Sequence, residues 1–250
     1  MKTSDIDLGE KFMGLFKGMN GVGKTCAAVT FPKPLKVFDF DGRMNSVKHQ
    51  WPNEDVDYDL YGPTNFHKFR DEFEALQDRC PWQTIVVTLT SMCNTIITYQ
   101  LKMKGQENKK SKGGLVVPSF DEYNGETTII TQVLDIAKIL PCHVIFEGHP
   151  VQKIDITGGV TKRYSSLVSY GTKVASFAPG YFNEIYHFYL DKPLRVGDKA
   201  RRIALTEGTD EEFAKTALPL PAKLDYTNAR FFDVISGELE SHGITIKTRG

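Results

Sequence analysis

The chain predicts a three-layer α/β fold with a mostly parallel central sheet, and three observations carry that expectation. A glycine-rich stretch, GMNGVGKT at 18–25, follows an apolar run at 11–17 and opens a helix-like segment. Apolar strand-like runs recur along the chain with helical stripes between them. Two of these runs, TIVVTLT at 84–90 and HVIFEG at 143–148, are almost continuously apolar, as central parallel strands covered on both faces should be.

The elements follow in order. Residues 11–17 read as the first strand and 24–30 as the helix after the glycines. LKVFDF at 35–40 is a second strand ending in acids and an Asp-Gly turn. In 65–79, Phe66, Phe69, Phe73 and Leu76 recur at helical spacing. A helix follows strand 84–90 and leads into KMKGQENKKSKGG at 102–114, a polar, lysine-rich segment expected to be a loop. Ile129, Val133, Ile136 and Leu140 form one stripe over 127–140, and Pro141 stops that helix. IDITGGVTKRYS turns on Gly-Gly between alternating arms and reads as a hairpin. EIYHFYL at 184–190 and RRIALTE at 201–207 are the last clear strands and come closer together, and with the hairpin they give an expected C-terminal antiparallel hairpin region. From 209 onward the pattern is loop-like, with a short helix in the tail. The expected division is one domain over 1–228 and a tail over 229–250.

Composition narrows the partners. Lys and Arg number 31 against 31 Asp and Glu, so no global field draws the chain to nucleic acid, and such binding must come from local patches. The cysteines, Cys26, Cys80, Cys93 and Cys142, show no C-x-x-C spacing, which argues against zinc or a disulfide framework and for a reducing compartment. No apolar run approaches a membrane span in length, so a cytoplasmic protein without a membrane partner is expected.

Residues 18–25 fit G-x-x-x-x-G-K-[ST]. Glycines let successive backbone N–H groups converge on phosphate oxygens. Gly18, Asn20, Gly21, Val22, Gly23, Lys24, Thr25 and Cys26 are therefore the candidate contacts for ATP. Lys24 would reach the β- and γ-phosphates, the Thr25 hydroxyl would ligate Mg²⁺, and the helix N-terminus would lie under the anion. Lys24 is expected to face solvent when no nucleotide is bound. NKKS at 108–111 lacks the aspartate of a guanine-reading motif, which favours ATP over GTP.

GMNGVGKT, KPLKVFDFDG, QTIVVTLTS, VIFEGHP, SYGTKVASFAPGYFNEIYHF and AKTALPLP occur in that order. On these landmarks residues 10–228 resemble the small RecA/RadA-like ATPases of bacteriophages, the group associated with recombination and single-strand annealing. The resemblance implies a RecA-like P-loop fold, ATP and Mg²⁺ as cofactors, and single-stranded DNA as partner. It also implies a homo-oligomeric ring or filament, a single-strand-binding protein as a further partner, and location in the host-cell cytoplasm. It makes Asp41 the residue that activates the attacking water, and gives Asp39, two residues earlier, a share in holding Mg²⁺. Thr88 stands where the family has its Walker B aspartate, so a carboxylate introduced there is expected to raise turnover. His149 takes the place of the γ-phosphate sensor, and Glu147 is a further candidate for water activation. Lys215 matches a lysine that reaches the neighbouring subunit's site. Ala217 stands where an arginine is usual, with Arg201 and Arg202 as alternatives.

Two cationic segments are candidates for single-stranded nucleic acid: Lys109, Lys110 and Lys112 in the loop, and Lys153, Lys162 and Arg163 in the hairpin. Tyr164 and Tyr170 could stack on bases, and an ordinary solvated charge run is the alternative. Three functions stand at this level: an ATP-dependent recombination or annealing protein, a nucleotide-gated assembly or DNA-binding protein with little hydrolysis, and a small-molecule kinase. The kinase needs an arginine lid, and Arg163, Arg195 and Arg201 do not cluster in one.

Overall fold

The computed structural model describes residues 11–104, 118–157, 160–167, 172–191 and 200–247. In chain order the elements are β1 (Met13–Gly18), α1 (Lys24–Ala28), β2 (Leu35–Asp39), α2 (Met44–Gln50), β3 (Asp57–Leu60), α3 (Phe66–Ala75), β4 (Thr84–Thr88), α4 (Leu89–Met103) and α5 (Phe120–Ile139). Then come β5 (His143–Gly148), β6 (Pro150–Thr157), β7 (Val160–Leu167), α6 (Thr172–Phe177), β8 (Glu184–Asp191), β9 (Arg201–Leu205), β10 (Lys223–Asp225) and α7 (Phe231–Ser241).

Among the described residues the main sheet has eight strands in the order β10-β9-β8-β1-β5-β4-β2-β3. Strands from β8 to β3 pair in parallel, while β9 and β10 add antiparallel pairs at one side. This is the three-layer α/β arrangement expected from the sequence. Strand periodicity divides the side chains between two cores. Phe38, Ile85, Val87, Val144 and Phe146 pack with Phe66, Phe69, Ile96, Ile130 and Leu134 of α3, α4 and α5. On the opposite face Phe16, Val37, Val86, Ile145, Tyr186 and Phe188 pack with Ala27, Ala28, Phe231, Ile235 and Leu239 of α1 and α7. Burial on both faces is why β4 and β5 read as unbroken apolar runs.

The topology positions the site. β5 lies between β1 and β4, so the C-terminal ends of β1, β5, β4 and β2 sit side by side above the start of α1. The hairpin β6–β7 forms its own two-stranded antiparallel sheet and begins one residue after His149.

Two differences from the sequence reading have local causes. α5 starts at Phe120, seven residues before the apolar stripe, because Ser119 and Glu122 close its first turn: Ser119 N and Oγ both donate to Glu122 Oε2. The short helix expected in the tail is α7, and it packs on the sheet. Phe231, Ile235 and Leu239 are buried in the second core, with the Phe231 ring edge-on to Phe16 at 5.5 Å. Short, exposed β3 and the mostly exposed α2, with only Val47 buried, carry too little apolar pattern to be seen in sequence.

Candidate functional site

β1 ends at Gly18, and the backbone turns back over itself before α1. A side chain at Gly18 would collide with Phe188 O of β8 at 2.4 Å, so the close approach of strand and loop requires glycine. Gly21 and Gly23 have φ of 82° and 95°, the left-handed region that other residues avoid. The loop is braced from the C-terminal side, where the Tyr226 hydroxyl donates to Val22 O at 3.2 Å.

A cavity of about 900 Å³ opens above this loop. Its floor is Asn20, Gly21, Gly23, Lys24, Thr25 and Cys26. Asp41, Glu147 and His149, from the ends of β2 and β5, form its inner wall. Arg43, Ser46 and His49 at α2 line one side and Arg202, Thr227 and Asn228 the other. Gly18 and Val22 shape the loop from beneath and do not line the cavity.

Lys24 departs from the expectation that it faces solvent. It is buried, and Nζ donates to Gly18 O at 2.8 Å and to Met19 O at 3.1 Å. Burial lowers its pKa, against the opposing pull of Glu147 and Asp41. His149 Nδ1 lies 3.4 Å from Lys24 Nζ and 3.3 Å from Gly18 O, and its backbone N donates to Thr90 Oγ1 at 2.9 Å. Burial, then the Lys24 charge, lower the imidazole pKa, so the ring is neutral at pH 7.

The carboxylates separate by role. Asp41 faces the cavity and accepts a hydrogen bond from the Ser91 hydroxyl. Asp39 does not line the cavity. It is buried, and its Oδ1 accepts from Asp41 N at 2.7 Å and Gly42 N at 2.9 Å, which holds the turn that presents Asp41. Glu147 is 4% exposed, and its Oε2 accepts from Thr25 Oγ1 at 2.7 Å. Burial pushes its pKa up to about 7, opposed by the Thr25 hydrogen bond and the Lys24 charge. Thr88 is also buried, and its Oγ1 accepts from Phe40 N at 2.8 Å, tying β4 to the end of β2 rather than entering the cavity.

Other sequence candidates lie elsewhere. Lys215 exchanges backbone hydrogen bonds with Ile185, toward the end of β8 away from the loop, and does not line the cavity. Lys109, Lys110 and Lys112 fall outside the described residues, as does Tyr170. Lys162 and Arg163 lie on β7, in register opposite Asp155 and Ile154. Arg202, an alternative for a neighbouring subunit's site, lines this chain's own cavity, with Nε 3.9 Å from where a Gly23 side chain would begin. Arg43, which no sequence motif marks, also lines the cavity, and its Nη1 donates to Asn20 Oδ1 at 2.9 Å. Neither arginine has a sequence signal, because each meets the loop through tertiary folding.

The family described as "AAA domain" (AAA_24) matches residues 10–218. The chain belongs to that family. The AAA_24 match ends before β10 and α7, which complete the second core. No curated sequence matches the chain. Among solved structures the AAA_24 protein is similar to a KaiC-like protein of the hyperthermophilic archaeon Pyrococcus horikoshii, at 12% identity over 88% of this chain and 87% of that one, with TM-score 0.45. It is also similar to the flagellar accessory protein FlaH of Methanocaldococcus jannaschii, at 10% identity over 86% of this chain and 84% of that one, with TM-score 0.39. The chain's own topology, a mostly parallel eight-stranded sheet with the glycine-rich loop between β1 and α1, is that of a three-layer α/β fold. Among the described residues no helix is long and apolar enough to cross a membrane.

Proposed function

We propose that this AAA_24 protein binds ATP with Mg²⁺ in the cavity over Lys24, hydrolyses it, and uses nucleotide state to govern single-stranded DNA binding by a homo-oligomer in recombination or strand annealing. The observation that carries the nucleotide reading is the convergence of Lys24, Thr25, Asp41, Glu147 and His149 on one cavity above two left-handed glycines.

The residues fit a nucleoside triphosphate and its metal. The loop supplies backbone donors at the start of α1, Lys24 a cation, and Thr25 a hydroxyl beside a buried carboxylate. Lys24 exchanges its two carbonyl acceptors for phosphate oxygens. The Thr25 hydroxyl with an adjacent carboxylate would hold Mg²⁺, which would supply neutralisation of the phosphate charge. Asp41, oriented by Ser91, accepts the proton of the attacking water. Neutral His149 senses the γ-phosphate region through Lys24 and passes the change to the hairpin, whose first residue, Pro150, is its neighbour in the chain.

The DNA part of the reading rests on that continuity and on the hairpin's sequence. The register sets Lys153 opposite Tyr164 on two strands that carry Lys162 and Arg163 as well. A nucleotide-gated binder with little hydrolysis is the second reading, favoured by the uncharged Thr88 at the Walker B place. One assay tests both: phosphate release from ATP and Mg²⁺ with and without single-stranded DNA. The proposal expects metal-dependent turnover that rises with DNA. DNA binding that responds to ATP without phosphate release would favour the second reading. Neither turnover nor nucleotide-dependent DNA binding would overturn both.

A further inference from the structure

We infer that the Walker B carboxylate of this chain has moved one strand across the sheet, from position 88 on β4 to Glu147 on β5. The inference rests on the nucleotide reading above and deepens it.

Thr88 and Glu147 are partners across the β4–β5 ladder, the last pair at its C-terminal end. Val86 and Ile145, two residues earlier on each strand, pack in the core on the α1 side. The two-residue period of a strand puts Thr88 and Glu147 on that same face. Neighbouring strands are about 4.8 Å apart, so the exchange shifts a carboxylate sideways by one strand without changing its height above the sheet. β5 is next to β1, and Glu147 is in register with Phe16, two residues before the loop begins. The shift therefore carries the carboxylate toward the phosphate loop.

The side-chain bonds agree. Thr88 Oγ1 is engaged by Phe40 N and stays out of the cavity. Glu147 Oε2 accepts from Thr25 Oγ1, the hydroxyl that a P-loop gives to its metal. Glu147 Oε1 is buried at the cavity wall with no hydrogen-bond partner among the described residues. An unpartnered carboxylate oxygen costs stability unless something supplies it with donors. Water molecules on a divalent cation held at Thr25 are such donors. Asp39 also has a buried oxygen, Oδ2, with no hydrogen-bond partner among the described residues, but it is less suited, because it does not line the cavity and its Oδ1 braces the turn.

The test measures metal dependence of nucleotide affinity, separately from turnover. A fluorescent, non-hydrolysable ATP analogue is titrated into wild type, Glu147→Gln and the exchange variant Thr88→Asp/Glu147→Thr, with Mg²⁺ or Mn²⁺ and with chelator. Glu147→Gln keeps an acceptor for Thr25 and removes a buried charge, so the fold should survive it. The expected result is metal affinity reduced about 10–100-fold in Glu147→Gln, the range seen when a carboxylate acting on a metal site from the outer shell is lost. Analogue binding in chelator should be unchanged or tighter. The exchange variant should recover most of the metal dependence. Wild-type metal dependence in Glu147→Gln, or none recovered by the exchange, would overturn the transposition while leaving the nucleotide site standing. A wild-type protein whose analogue binding ignores metal altogether would overturn the parent reading too.

Discussion

At the scale of single residues, the site depends on which polar groups are already engaged within the protein. Asp41 is held by Ser91 and faces the cavity, whereas Asp39 stays out of the cavity and its Oδ1 braces the turn. Asp41→Asn retains an acceptor for Ser91 but loses the base. Turnover should fall by about a hundredfold or more, the usual worth of an electrostatic group at such a site, with ATP affinity retained. Undiminished phosphate release by that variant would show that the water is activated elsewhere. Thr88→Asp alone, expected from sequence to raise turnover, now has the opposite outlook. It places a second carboxylate directly across from Glu147, and like charges at that spacing disfavour each other. Metal-dependent turnover should not rise unless Glu147 is neutralised as well, and a single-variant rate above wild type would contradict this. The motif itself was legible because its chemistry is local: eight consecutive residues carry the glycines, the cation and the hydroxyl. The burial of Lys24 was not, since its acceptors are carbonyls of the loop's own curled backbone. The Thr25–Glu147 bond was not either, because its partners are 122 positions apart.

At the scale of elements, strands with two covered faces are legible from composition, and the apolar run HVIFEG coincides with β5. The start of α5 lies outside the apolar stripe, although SFDE carries the Ser-x-x-Glu spacing of a capping box, because its first turns lack apolar residues at helical spacing. That cap gives a test. Lys104 Nζ donates to Glu122 Oε1 at 2.6 Å, and this bond, with those from Ser119, holds the Glu122 carboxyl at a pKa of about 2, below the usual 4.5. A depressed carboxylate pKa contributes stability that is present above the unfolded value and is lost as pH falls through the folded value. Glu122→Gln keeps the capping-box acceptor but loses the charge, so it should lower stability at pH 7 by about 1 kcal/mol, the difference between a hydrogen bond to a charged group and one to a neutral group. The gap from wild type should narrow as pH drops below 4.5 toward 2. Denaturant melts at stepped pH would read it, and a constant gap from pH 7 to pH 3 would contradict the assignment.

At the scale of the whole molecule, the layers and mostly parallel sheet followed from the alternation of apolar runs, but the closure of the second core did not. Phe231, Ile235 and Leu239 lie more than 200 residues from Phe16 in sequence and pack in the same cluster. Phe231→Ala should cost about 3–5 kcal/mol, as emptying a fully buried aromatic position does, seen as a lower urea midpoint. A chain ended at 228 should lose the cooperative transition; an unchanged midpoint in either would show that the tail contributes little to the second core. The same closure braces the nucleotide side, since Tyr226 holds Val22 and Arg202 lines the cavity. All of this serves one central claim, that the cavity over Lys24 takes ATP. Calorimetric titration of ATP with Mg²⁺ into wild type and Lys24→Ala, with melts to confirm that both are folded, tests it most directly. Saturable binding by wild type that weakens tenfold or more in the variant is the predicted result, and equal affinity in the two proteins, or no binding by wild type, would contradict it.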